Sequence, residues 1–231
     1  MSQVTVITSV YGDDVLVFQP KQTVRATWIA VVDDHRPFFA ATEDEDQFEH
    51  WEQVIIPKPH LHPRLASKVA KYRPDLFTED EYVIWIDGSV RITSELFIND
   101  LLEWLGEDCD IGMLPHPDRS SISSEWPQTR GQERYRGQDV QAQALRYILE
   151  LPKDDKLYVT AVIARRYDHT TREGLMELGN ELMFEHIAGS YHDQLAMPFC
   201  LYNSMLDVAV VPWDLWHNHY FSLHPREVEN P

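Results

Sequence analysis

Cysteine is nearly missing from this chain: Cys109 and Cys200 are the only two in 231 residues. Two thiols are too few for a disulfide scaffold, and their spacing carries no zinc signature, so a reducing cytoplasm is the expected compartment. Cations are scarce as well. Lys and Arg number 20 against 38 Asp and Glu, a formal net charge of −18. Wrapping DNA or an anionic membrane over the whole surface needs the opposite excess, so a nucleic-acid partner would require a local basic patch. No apolar run approaches the roughly 18 residues that span a bilayer. A strand pattern begins at Val4 with no charged region or cleavage site ahead of it. Repeats, linkers and low-complexity tracts are lacking too, so 1–231 reads as one domain.

What is present is core-forming. Apolar residues make up 43% of the chain and aromatics 11%, enough for a substantial interior. The apolar stretches are short and β-branched, at 4–10, 26–32, 54–56, 82–86, 111–114, 157–164 and 208–211. Helical patterns fall between them, from Pro63 onward and at about 95–105, 139–149, 173–186 and 193–202. This alternation predicts an α/β fold rather than a sandwich. The segment 116–137 has little apolar periodicity and holds Arg130, Arg134 and Arg136; it reads as a long active-site loop.

Acidic turns close several strands: Asp13 and Asp14, Asp33 and Asp34, and Asp87. Ligands of open α/β sheets bind outside the carboxyl ends of the strands, so these groups could share one crevice. Aspartate is also common in turns because it bonds nearby backbone N–H groups. Asp87 stands apart, since it ends an apolar strand directly and precedes Gly88, where a ligand can approach the backbone. A carboxylate there suits Mg²⁺ or Mn²⁺ carrying a nucleoside diphosphate.

Other candidates carry a plain reading beside the functional one. His217 and His219 either complete a metal site or lie on the surface. Asp193 and Gln194 open a helical stretch, where Asp193 is an N-cap or a sugar contact. On the helix after Pro63, Leu65, Val69 and Tyr72 line one face and Arg64, Lys68 and Lys71 another, a solvated surface or a phosphate contact. Arg165 and Arg166, just past a strand, carry the same two readings. His60 and His62 imitate a metal-hydrolase motif, but between Pro57, Pro59 and Pro63 they read as a rigid loop entering a helix.

Four motifs occur in the order seen in GT-A type glycosyltransferases: Tyr11-Gly-Asp-Asp14, Val32-Asp-Asp34, Trp85-Ile-Asp-Gly-Ser-Val90 and His192-Asp-Gln-Leu195. The block from His62-Pro-Arg-Leu-Ala-Ser-Lys68 through Pro74-Asp-Leu-Phe77 to Gly88 is more particular. It resembles the glycosyltransferase-like TOD/MUCI family, formerly a domain of unknown function, with plant mucilage-related and bacterial members. His116-Pro-Asp-Arg119 is similar as well, and the resemblance runs from about residue 5 to 205.

The resemblance implies a GT-A-like (Rossmann-like), mixed, mostly parallel sheet flanked by helices. It implies a nucleotide-sugar donor, UDP-linked first, contacted by Tyr11, Asp33, Arg64, Lys68, Asp87, Gly88, Ser89 and Arg165. Asp193 and Gln194 would serve catalysis, tilting toward retention, with His116 and Arg119 toward an acceptor that is a glycan, protein, lipid or modified nucleic acid. It also implies Mn²⁺ or Mg²⁺, yet Ser89 replaces the second Asp of the usual motif. Metal binding is then weak, completed by His217 or His219, or absent. Two rivals stand: a metal-dependent hydrolase using His60, His62, Asp87 and His217, and a non-catalytic carbohydrate-binding domain with Trp126, Trp213 and Trp216 as a platform.

Overall fold

The computed structural model describes residues 3–12, 16–17, 19–35, 48–57, 62–130, 132–152 and 156–223. Asp13, Asp14 and His60, named above, lie outside the described residues.

Seven strands form one sheet in the order β3 (Glu52–Ile55), β2 (Thr27–Val32), β1 (Val4–Val10), β4 (Tyr82–Ile86), β7 (Tyr158–Arg166), β6 (Ile111–Pro115) and β8 (Val208–Val210). Neighbours pair in parallel except at β7, which runs antiparallel to both β4 and β6. The fold is therefore α/β with a mixed, mostly parallel sheet. Every residue of β1 is buried, as expected of a strand covered on both faces.

Strand alternation assigns each face. Ile7, Ile29, Val31, Val83 and Trp85 point toward one core layer. That layer is closed by α1 (Pro63–Tyr72), α4 (Val140–Glu150), α5 (Arg172–Ala188) and α6 (Asp193–Asn203). Val6, Ala30, Ile84 and Ile86 point the other way, against α2 (Phe97–Leu105) and the segment bearing Trp213 and Phe221. The same period-2 rule carries Asp87, two residues past Trp85, to the α1 and α6 side.

Three features depart from the expectations or add to them. The segment 116–137 is not one loop: it contains α3 (Ile122–Thr129) and a 3-10 turn at Glu133–Tyr135. Ser121 and Ser124 form a reciprocal capping box, with Ser124 N 3.2 Å from Ser121 Oγ and Ser121 N 3.3 Å from Ser124 Oγ. The usual signature has Glu or Gln at the third helical position, so a serine there hides it. Secondly, β5 (Val90–Ile92) pairs with β9 (Phe221–Leu223) as a separate two-stranded ribbon. Gln19 reinforces it by bonding Val90 O at 2.9 Å and Ile92 N at 2.8 Å.

Thirdly, the polar face of α1 is not a solvated surface. Lys68 and Lys71 are buried with Leu65, Ala66, Ala70 and Tyr72. No helix among the described residues is long and apolar enough to cross a membrane.

Candidate active site

Asp87 leaves β4 by donating its N–H to Ala161 O at 2.8 Å, and its carbonyl closes a turn with Val90 N at 2.8 Å. Its side chain turns into a crevice of about 680 Å³ lined by Arg64, Lys68, Ser89, Arg134, Asp193 and Gln194, among others. Asp87 Oδ1 accepts from Trp85 Nε1 at 2.8 Å and from Lys71 Nζ at 3.0 Å. A Cβ at Gly88 would meet Val10 Cγ2 at 3.4 Å and Ser9 O at 3.5 Å. The glycine thus packs against the end of β1 while lining the crevice.

Lys71 distributes all three of its N–H donors: to Asp87, to Thr160 Oγ1 at 3.1 Å and to Asp193 Oδ2 at 2.8 Å. Lys68, one turn earlier on the same face of α1, donates to Asp193 Oδ1. Asp193 is the first residue of α6, one place past the N-cap, His192, whose side chain makes no capping bond. It accepts in addition from Tyr72 Oη at 2.7 Å and Thr160 Oγ1 at 3.1 Å, while His186 Nε2 lies 2.9 Å away. Five side chains from α1, β7 and α5 therefore converge on one carboxylate. Two ammoniums and two carboxylates balance, which is what allows ions to persist where isolated charges would cost several kcal/mol.

The electrostatics follow from this pairing. Burial would raise the Asp193 carboxyl, but Lys68 and Lys71 outweigh it and hold the group well below the ordinary range. Burial likewise opposes the Lys71 charge, and Asp193 and Asp87 more than restore it. Burial pushes Lys68 down, further than Asp193 recovers. Burial and then the Asp193 charge keep the Tyr72 phenol protonated, well above its usual value. His186 is pushed down by burial, so its ring is neutral and its Nε2–H is the donor to Asp193.

Of the residues expected from sequence, Arg64, Lys68, Asp87, Gly88, Ser89, Asp193 and Gln194 line this one crevice. Tyr11 and Asp33 meet at the ends of β1 and β2, where Gly12 N donates to Asp33 Oδ2 at 3.2 Å. Tyr11 is buried in the core, and neither residue lines the crevice. Arg165 does not reach it. Because β7 is antiparallel, Arg165 pairs with Val83 near the start of β4, and its buried guanidinium donates to Lys71 O at 2.8 Å.

His116 and Arg119 form a separate cluster. His116 Nδ1 accepts from Asp118 N and Arg119 N, both at 3.1 Å, and Arg119 bonds the buried Glu125. His192 Nε2 lies 3.1 Å from Glu125 Oε1. This ion cluster braces α3 against α6, and neither His116 nor Arg119, expected near an acceptor, lines the crevice.

The proposed metal partners are likewise elsewhere. His217 is exposed and pairs with Asp214 at 3.2 Å; His219 stacks on Tyr220 at the surface. Neither lines the crevice. Among the described residues, no three His, Cys, Asp or Glu side chains are grouped to hold a metal ion. A hard divalent cation takes several oxygen ligands; among the described residues Asp87 has one oxygen already serving Lys71 and Trp85, and Asp193, the other carboxylate of the crevice, is taken up by its own donors. The residues present do not fit the Mn²⁺ or Mg²⁺ site expected from the resemblance.

This geometry also corrects both rivals. His62 caps α1 by accepting from Arg64 N at 3.3 Å and stacks on Tyr191 at 5.1 Å, so it does not join Asp87 and His217 around a metal. Trp213 is buried against Phe97 and Tyr220 while Trp216 is exposed, so no common aromatic platform forms.

Sequence reasoning missed the inward roles of Lys71, Tyr72, Thr160 and His186. Tyr135, also missed, lines the crevice and a second cavity of about 470 Å³ between α3 and α4, which holds Trp126, Arg130, Glu133, Arg136 and Asp139.

A family model for the TOD1/MUCI70 glycosyltransferase-like domain matches residues 1–170. The chain belongs to the TOD1/MUCI70 glycosyltransferase-like family. The match takes in Lys68, Lys71, Asp87 and Thr160, whereas Asp193 lies beyond it. Among solved structures, the apo structure of WbbM, a bifunctional glycosyltransferase, is similar with a TM-score of 0.52 at 14% identity. The likeness covers 93% of this chain and 40% of that one, and at this identity it speaks for the fold. The chain thus spans less than half the length of that protein. No curated protein sequence matches it.

Proposed function

We propose that this chain is a nucleotide-sugar-dependent glycosyltransferase, acting as one domain over 1–231, with a UDP-linked sugar as the first donor to test. The observation that carries this reading is the Asp87–Lys71–Asp193–Lys68 chain of ion pairs at the floor of the crevice, at the carboxyl end of β4. Family membership supplies the reaction class, and the crevice volume suits a ligand the size of a nucleotide sugar.

Asp193 acts in this reading as a positioning residue, because five donors crowd its two oxygens and leave it a poor nucleophile. Transfer with retention then proceeds on one face of the sugar. The bond from the anomeric carbon to the diphosphate oxygen breaks with its electron pair on that oxygen. The acceptor oxygen bonds the anomeric carbon from the same side, and its proton passes to the departing diphosphate. Gln194, beside Asp193 in the crevice lining, holds a sugar hydroxyl in this reading. The acceptor enters through the second cavity, with Tyr135 as the wall between the two. The two unpaired thiols keep the cytoplasm as the expected compartment.

The test is a hydrolysis screen of UDP- and GDP-sugars, with nucleotide release measured for the wild type, Asp87→Ala and Lys68→Gln. Release by the wild type that both variants lose supports the reading. No release and no binding of any donor, or release unaffected by either change, sinks it.

A further inference from the structure

The glycosyltransferase reading leaves one charge unaccounted for, the negative charge that builds on the departing diphosphate. Something cationic must meet it. We propose that Lys68 and Lys71 stand in for the divalent cation implied by the resemblance, so that a nucleoside-diphosphate sugar is bound and turned over without metal. This inference rests on the proposed function and names how that same site handles its donor.

Asp87 is the one carboxylate at the strand end where the resemblance implies a metal. Its Oδ1 receives Lys71 Nζ at 3.0 Å, so the position beside that oxygen already holds a positive charge. Lys71 is only 3% exposed and has Asp193 Oδ2 at 2.8 Å on its other side. A cation arriving at Asp87 would have to displace a buried ammonium or sit beside it, and Ser89 offers no second carboxylate to compensate.

Lys68 completes the device. It is 11% exposed, lines the crevice, and among the described residues donates to Asp193, so its ammonium is presented at the crevice wall where a ligand would sit. Asp193 holds both ammoniums at the floor while its own charge is matched by them. When the anomeric bond breaks, the electron pair lands on a phosphate oxygen facing Lys68. The lysine keeps its proton and donates a charge-assisted hydrogen bond, with Lys71 fixed behind it. The α1 spacing makes this possible, because residues three apart share one helical face.

The experiment is calorimetric binding of UDP, GDP and ADP to the full chain, once in EDTA and once in MnCl₂. One diphosphate should bind with affinities within about twofold in the two buffers. Lys68→Gln should weaken that binding about tenfold or more through loss of a charge-assisted bond, with Lys68→Arg recovering most of it. Should Lys68→Gln fail to fold, as its melting curve would show, inorganic pyrophosphate competing with the nucleotide in EDTA serves instead. Binding that needs Mn²⁺, or that Lys68→Gln leaves intact in a folded protein, overturns the inference while the glycosyltransferase reading stands. No binding in either buffer overturns both.

Discussion

Lys71 Nζ donates to Asp87 Oδ1 across 3.0 Å, joining the last turn of α1 to the end of the central strand β4. The contact explains how an acidic protein keeps a buried lysine charged, and it ties the stability of the fold to the candidate site.

Removing that lysine should be expensive. Lys71→Met leaves Asp87 and Asp193 without their shared partner, and breaking a buried pair on one side costs about 3–5 kcal/mol. Chemical denaturation should show a loss of that order. The double variant Lys71→Met, Asp87→Asn should recover part of it, with a coupling of about 0.5–3 kcal/mol.

Acid stability should depend on Glu125. His192 and Arg119 hold its carboxyl at about 2 despite burial, against an unfolded value near 4.3. A depressed carboxylate contributes stability that is present above the unfolded value and lost as pH falls through the folded one. The contribution is roughly 3 kcal/mol at neutral pH, disappearing between about pH 4 and 2. Denaturation against pH should show a shallower acid limb for Glu125→Gln over that window. Asp193 is shifted in the same direction and adds to the same limb.

Gly179 sets the distance between α5 and the end of α1. A Cβ there would fall 2.1 Å from Tyr72 O, a clash with backbone that no rotamer relieves. Gly179→Ala should destabilise by about 3 kcal/mol or more. It should also weaken donor binding, because it moves Tyr72 and His186, two of the donors on Asp193.

The second cavity predicts a separable effect. Arg136 is exposed and, among the described residues, pairs with Glu133, so Arg136→Ser should change stability by no more than about 0.5 kcal/mol. Transfer assays should show a higher KM for the acceptor and an unchanged KM for the donor. Equal changes in both would place the acceptor elsewhere.

Much of this architecture was legible in the sequence because β-branched runs and their spacing report strands directly. The buried runs of β1 and β4 and the acidic turn at Asp87 fall where pattern and turn chemistry put them. What pattern could not report was direction and depth. Arg165 looked available past a strand, but the reversal of β7 turned it into the core, and reversal leaves no local mark. Lys68 and Lys71 looked solvated because polarity argues for exposure, whereas their partner Asp193 lies 122 positions or more further along the chain. The ribbon of β5 and β9 escaped because neither Val90-Arg-Ile92 nor Phe221-Ser-Leu223 is a continuous apolar run, unlike the equally short β8. His186 gave no signal at all, being one histidine between Glu185 and Ile187 inside a helix.

A crystal structure of the protein with UDP bound in the absence of metal tests the central claim most directly. The account predicts the diphosphate in the crevice, with a phosphate oxygen within hydrogen-bonding distance of Lys68 Nζ and Lys71 still on Asp87. A nucleotide bound away from Lys68 and Asp87, or one held there only through a cation that displaces Lys71, would contradict it.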